Sequence, residues 1–156
     1  MLPFTPMNSL PLALQAAQQW CLSRGEKLTD SRREVLALLL QAGGPLKAYD
    51  ILACLQKAKP TAAPPTVYRA LDFLVSMGLV HRLESLNAFV ACEHGLTPHH
   101  QGVLLICQRC HQVTEVAGVA SMRQLQQDAA AAQFTITAHE LEIKGVCHAC
   151  QQEATA

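Results

Sequence analysis

The sequence predicts an α+β protein in two parts: a helical N-terminal half that ends in a β-hairpin, and a C-terminal α/β half built on a small sheet. Three observations predict it. Apolar residues recur at helical spacing as far as Leu74 and then alternate, as strand residues do. Two C-x-x-C turns, Cys107–Cys110 and Cys147–Cys150, bracket the second half. Between the halves, His81, Cys92, His94, His99, His100, Cys107 and Cys110 gather four of the seven histidines and three of the seven cysteines.

The elements follow in order. After a lead-in over residues 1–8, Leu10, Leu14, Ala17 and Cys21 mark one face of a first helix that Gly25 ends. Thr29 is expected to cap a second helix carrying Val35, Leu36, Leu39 and Leu40, broken by Gly43, Gly44 and Pro45. A third runs from Ala48 to Ala58. Pro64 and Pro65 open a fourth, because a first-turn proline forfeits no intrahelical hydrogen bond. Its buried face is Val67, Ala70, Leu71 and Leu74, and Gly78 closes it. LVHRLE and FVAC then flank a polar turn as a hairpin. This is the order of a winged helix-turn-helix, whose last helix enters the major groove of DNA.

Beyond Cys92 the expected elements are a strand at Val103–Ile106, a second at His111–Val116 and a helix over residues 118–133. Alternation over Phe134–Val146 then leads to the second C-x-x-C. The domains are thus set at residues 1–92, a winged helix-turn-helix DNA-binding domain, and 93–156, a C-terminal α/β dimerisation and metal-binding domain with a four-cysteine structural zinc site.

Composition narrows the function. Half of the 156 residues are hydrophobic, yet no apolar run approaches the roughly 20 residues that cross a bilayer. A soluble chain is expected, without a membrane partner. The start lacks a basic, apolar leader, which places it in the cytoplasm, where thiols stay reduced. The zero net charge divides unevenly: residues 1–92 hold nine Lys/Arg against six Asp/Glu, a net of +3, and residues 93–156 hold three against six, a net of −3. A polyanion would meet the first half. No nucleophile, base and orienting group stand together, so neither an enzyme nor a small-molecule substrate is expected.

Two C-x-x-C turns can give four thiolates, Cys107, Cys110, Cys147 and Cys150, to one tetrahedral zinc. A redox dithiol would instead need a C-x-x-C opening a helix in a thioredoxin-like setting, and neither pair is expected to have it. A second site is expected at the junction. A hairpin turning between Leu86 and Asn87 sets His81 opposite Cys92, within reach of one metal, and His100 and Glu115 can complete the set. A thiolate among imidazoles and a carboxylate favours Zn²⁺ over Fe²⁺ or Mn²⁺.

The ordered set LTDSRREVL, AYDIL, PPTVYRALDFL, VHRLES, ICQRC and GVCHAC resembles the ferric uptake regulator family, in particular its zinc-sensing branch. The resemblance runs from about residue 10 to Cys150. It implies a homodimeric, zinc-dependent repressor that binds operator DNA of zinc-acquisition genes. It also implies two zinc ions per subunit: a structural one on Cys107, Cys110, Cys147 and Cys150, and a sensory one on His81, Cys92, His100 and Glu115. The family pattern points to Tyr68 and Arg69 as DNA contacts, with Thr66 near the phosphates. Tyr49 and Lys27 are further candidates for the backbone or minor groove. The chain departs from the pattern at Thr29-Asp30-Ser31-Arg32, where the family has Thr-Pro-Gln-Arg. It departs again at His99-His100-Gln101, where the iron-sensing branch carries an acidic residue, so no further site on His99 and His139 is carried over.

Cys21, Cys54 and Trp20 are read as packing residues, and His94, His99, His111, His139 and His148 as solvated or hydrogen-bonded. The alternatives to a zinc-responsive repressor are a relative sensing iron, manganese or peroxide, and a thiol-disulfide protein.

Overall fold

Leu14, Ala17 and Cys21, three and four residues apart, give α1 (Leu10–Ser23) a single buried face. In the computed structural model, which describes residues 10–92, 102–137 and 140–154, that face packs on the second helix in a core shared by three further helices. They are α2 (Asp30–Ala42), α3 (Ala48–Ala58) and α4 (Pro64–Ser76). Val67, Ala70, Leu71 and Leu74 of α4 are buried as their spacing predicts, with α2 and α3 packed against them. Thr29 is the N-cap residue of α2 but makes no side-chain cap bond; its carbonyl accepts from the Arg33 amide at 2.8 Å. Trp20 packs as expected, its indole N–H donating to the Met77 carbonyl at 2.9 Å while the Arg24 guanidinium lies over its ring. Cys21 is buried, but Cys54 is exposed, because α3 buries only Ala48 and Ile51 and turns Cys54 outward.

The hairpin is β1 (Val80–Leu83) and β2 (Ala88–Ala91). Its register corrects the sequence reading: His81 pairs with Val90, and Leu83 with Ala88. The turn is therefore centred between Ser85 and Leu86, with the Asn87 amide donating to the Glu84 carbonyl and Asn87 itself at φ +47°. Asparagine tolerates this left-handed geometry, which centres the loop one residue earlier than alternation alone suggested. Leu46 bridges Phe89 through two backbone bonds of 2.8 and 2.9 Å, adding a short third member beside β2.

The chain divides into two compact units, Met1–Thr97 and Pro98–Ala156. The second holds β3 (Gly102–Cys107), β4 (Val113–Ala117), α5 (Val119–Ala131), β5 (Glu140–Gly145) and α6 (His148–Ala154). The sheet order is β4-β3-β5, with β3 antiparallel to β4 and parallel to β5. The strand expected over Phe134–Val146 is the shorter β5, and the second C-x-x-C runs into the helix α6. Gly118, the N-cap residue of α5, lies so close to Val103 that a Cβ there would overlap the valine Cγ2 methyl.

Candidate metal centre

Parallel pairing of β3 with β5 sets Cys107 beside Gly145, so the two C-x-x-C turns leave the sheet at the same end. The first turn folds back on itself: the His111 amide donates to the Cys107 carbonyl at 3.0 Å, and His111 sits at φ +59°. The second opens α6, with the Gln151 amide on the Cys147 carbonyl at 3.0 Å. Cross-links hold the turns together. The Gln108 amide donates to the Gly145 carbonyl at 2.8 Å, and the Arg109 guanidinium donates to the Cys150 carbonyl at 2.8 Å. Sequence reasoning misses Arg109; its only signal there is a basic residue inside a C-x-x-C.

The four sulfurs of Cys107, Cys110, Cys147 and Cys150 lie within 4.8 Å of one another. A tetrahedral zinc with Zn–S bonds of about 2.3 Å requires sulfurs about 3.8 Å apart. The Cys110 and Cys147 sulfurs are 3.6 Å apart, so the donor set and its dimensions fit zinc. The site also prepares its charge. Amide N–H bonds from Cys147, at 3.4 Å, and from Cys110 hold the Cys107 thiol down to about 5. Cys150 is pushed up to about 12, first by its hydrogen bond to the Cys147 side chain and then by burial. Cys147–Cys150 opens the helix α6. Convergence of both pairs on one point still separates this arrangement from an isolated redox dithiol.

In the first unit, His81 is 1% exposed, and its ring nitrogen and the Cys92 sulfur lie within 4.8 Å. They are diagonal neighbours rather than opposed ones, since the Cys92 amide bonds the Leu79 carbonyl at 3.0 Å. The two-residue shift in register keeps both on one face of the hairpin, and the imidazole is long enough to span the diagonal. In the second unit, Glu115 is buried on β4 opposite Leu104. His100 lies outside the described residues, as do His94, His99 and His139.

The outer face of α4 carries Thr66, Tyr68 and Arg69, all exposed. Arg69 has no hydrogen-bond or ion-pair partner among the described residues. Tyr49, at the start of α3, is 77% exposed, and Lys27 is exposed in the loop before α2.

The ferric uptake regulator family matches residues 23–144. The chain belongs to that family. Among family relatives, the zinc uptake regulation protein of Escherichia coli (strain K12) is 40% identical over 137 residues, covering 88% of this chain and 80% of that one. The ferric uptake regulation protein of Staphylococcus epidermidis is 31% identical over 133 residues, covering 83% and 91%. Of the solved structures, a zinc uptake regulator complexed with zinc and DNA superposes with a TM-score of 0.87 at 37% identity, covering 95% of this chain and 99% of that one. Holo XcZur superposes with a TM-score of 0.82 at 44% identity, covering 89% and 96%. These relatives are regulation proteins, and no described helix is long and apolar enough to cross a membrane.

Proposed function

We propose that this member of the ferric uptake regulator family is a zinc-responsive repressor, binding operator DNA as a metal-loaded homodimer and holding down zinc-acquisition genes. The observation that carries the reading is the likeness, over 95% of the chain, to a zinc uptake regulator complexed with zinc and DNA. Each subunit takes two zinc ions. Cys107, Cys110, Cys147 and Cys150 hold the structural one, and the fit of their sulfurs supports it. His81, Cys92, His100 and Glu115 hold the sensory one. The burial of His81 and the closeness of its ring nitrogen to the Cys92 sulfur support that assignment, because two ligand atoms then lie within reach of one ion.

On DNA, α4 lies in the major groove with Arg69 against a guanine edge, a contact worth about 1–3 kcal/mol of discrimination. Tyr68 contacts bases, Thr66 meets a phosphate, and Tyr49 and Lys27 reach the backbone or minor groove. Their exposure, and the unengaged Arg69 guanidinium, support these roles. The homodimer forms through the second unit. There Leu105 and Ile143, paired across β3 and β5, present exposed apolar side chains on one face of the sheet.

The test is operator binding against free zinc at fixed salt, because phosphate contacts make affinity steeply salt-dependent. Wild type is expected to bind only with zinc, while Cys92→Ser stays folded, keeps its structural zinc and loses the response. Equal binding by both proteins without zinc overturns the sensory assignment. Recovery of binding by Fe²⁺ or Mn²⁺ as well as by Zn²⁺, under anaerobic conditions, overturns the choice of metal.

A further inference from the structure

The four cysteines of the structural metal site are not equivalent toward solvent. Cys107 and Cys150 are buried, Cys147 is half-buried and Cys110 is exposed. The outer edge of the site is therefore the Cys110–Cys147 pair, one cysteine from each turn, with sulfurs 3.6 Å apart. We propose that this pair is an oxidative modification site, at which the Cys110 sulfur attacks a hydroperoxide and Cys147 resolves the product as a disulfide joining the two turns. The proposal rests on the structural-zinc reading of the four cysteines, but its connectivity follows from exposure.

The chemistry balances in two steps. The Cys110 sulfur takes the terminal oxygen of the hydroperoxide, forming a sulfenic acid and releasing an alcohol, or water if the oxidant is hydrogen peroxide. The Cys147 sulfur then displaces hydroxide from that sulfenic acid; the S–S bond forms and a proton carries the hydroxide away as water. Two electrons leave the thiols and the peroxide O–O bond accepts them. A zinc held there would keep its oxidation state, and the bond would take Cys110 and Cys147 from its four ligands.

Attack at the edge selects the cross-turn bond over the two bonds within turns, because Cys107 and Cys150 each lie behind it. The product also keeps the domain closed. A Cys110–Cys147 bond would tie the end of β3 covalently to the start of α6, whereas a bond inside either turn would leave only hydrogen bonds between the two turns.

The sequence makes the outcome directly readable. Trypsin cuts after Arg109, separating Cys107 from Cys110, and after Lys144, which leaves Cys147 and Cys150 together in residues 145–156. The full-length zinc-loaded chain is treated with hydrogen peroxide, blocked with a maleimide and digested. Zinc release is followed with a chromogenic chelator. The expected product links residues 110–123 to 145–156 through Cys147, at about tenfold the yield of either within-turn disulfide, with one zinc released per cross-link. A majority of Cys107–Cys110 or Cys147–Cys150 bonds, prior oxidation of exposed Cys54, or no disulfide at all overturns the proposal. Absence of this zinc in the starting protein instead overturns the metal reading, and mapping the same digest still reports the connectivity.

Discussion

The backbone amide of Cys147 donates to the sulfur of Cys107 at 3.4 Å, joining the last element of the chain to the end of β3. It favours the thiolate, and Cys107 and Cys150 are driven in opposite directions, to about 5 and about 12 from an ordinary 9.0. A folded-state value held below the unfolded one stabilises the fold fully above the unfolded value and ceases to as pH falls through the folded value. The Cys107 contribution is therefore complete above about pH 9 and gone below about pH 5. That of Cys150 is complete below about pH 9 and lost as pH climbs towards 12. Thermal melts of the metal-free chain check the first of these. The advantage of wild type over Cys107→Ser is expected to be smallest near pH 5 and to widen as pH rises towards 9. A gap that does not change with pH removes the thiolate from the account.

Zinc removal should act on one unit. The four cysteines all lie in Pro98–Ala156, and the core of the first unit uses none of them. Apparent zinc binding in small Cys-rich domains is worth about 10–16 kcal/mol at neutral pH. In Cys92→Ser, which lacks the sensory ligand set, a strong chelator is expected to lower the melting transition of the second unit by more than about 10 °C and to leave that of the first in place. Calorimetry that shows both transitions falling together would refute this.

Gly118 and Val103 fill one volume between them. Gly118→Ala forces the valine aside and should cost about 1–3 kcal/mol. Val103→Ala opens the room the new methyl needs, so the double variant is expected to recover at least about 1 kcal/mol relative to additivity. Chemical denaturation of the four proteins in the cycle measures it, and simple additivity would mean the backbone relaxes instead.

Arg69 stands exposed on α4, with no hydrogen-bond or ion-pair partner among the described residues. Arg69→Ala is expected to weaken operator binding by about 1–3 kcal/mol and to relax the choice of base at one position, with zinc content unchanged. Fluorescence anisotropy on matched and substituted operators tests it; affinity equal to wild type would take Arg69 out of the interface.

Ile143 and Leu105 are paired and exposed on the second unit's sheet. Ile143→Glu is expected to shift the chain from dimer to monomer in sedimentation velocity while the four-cysteine zinc stays bound. A dimer that persists would place the contact elsewhere.

Much of this was legible in the residues. Helical spacing and prolines located all four N-terminal helices, since local sterics and one buried face specify a helix without reference to distant residues. The four cysteines announced their own convergence, because two C-x-x-C turns have few other uses. Harder to read were features on which local patterns are silent. The hairpin register was missed by two residues, since such a slip leaves every side chain on its original face and only the turn at Glu84–Asn87 decides it. Cys54 had the spacing of a core residue and is exposed.

By itself the sequence determined the helices, the hairpin, the two cysteine turns and the residue types that can hold zinc, all products of short-range spacing. Tertiary structure alone decided that β3 and β5 run parallel, that Cys110 and Cys147 form the outer edge of the cluster, and that His81 meets Cys92 on a diagonal. Those outcomes depend on which distant segments share backbone hydrogen bonds and which atoms their packing hides from water, and neither is a property of neighbouring residues.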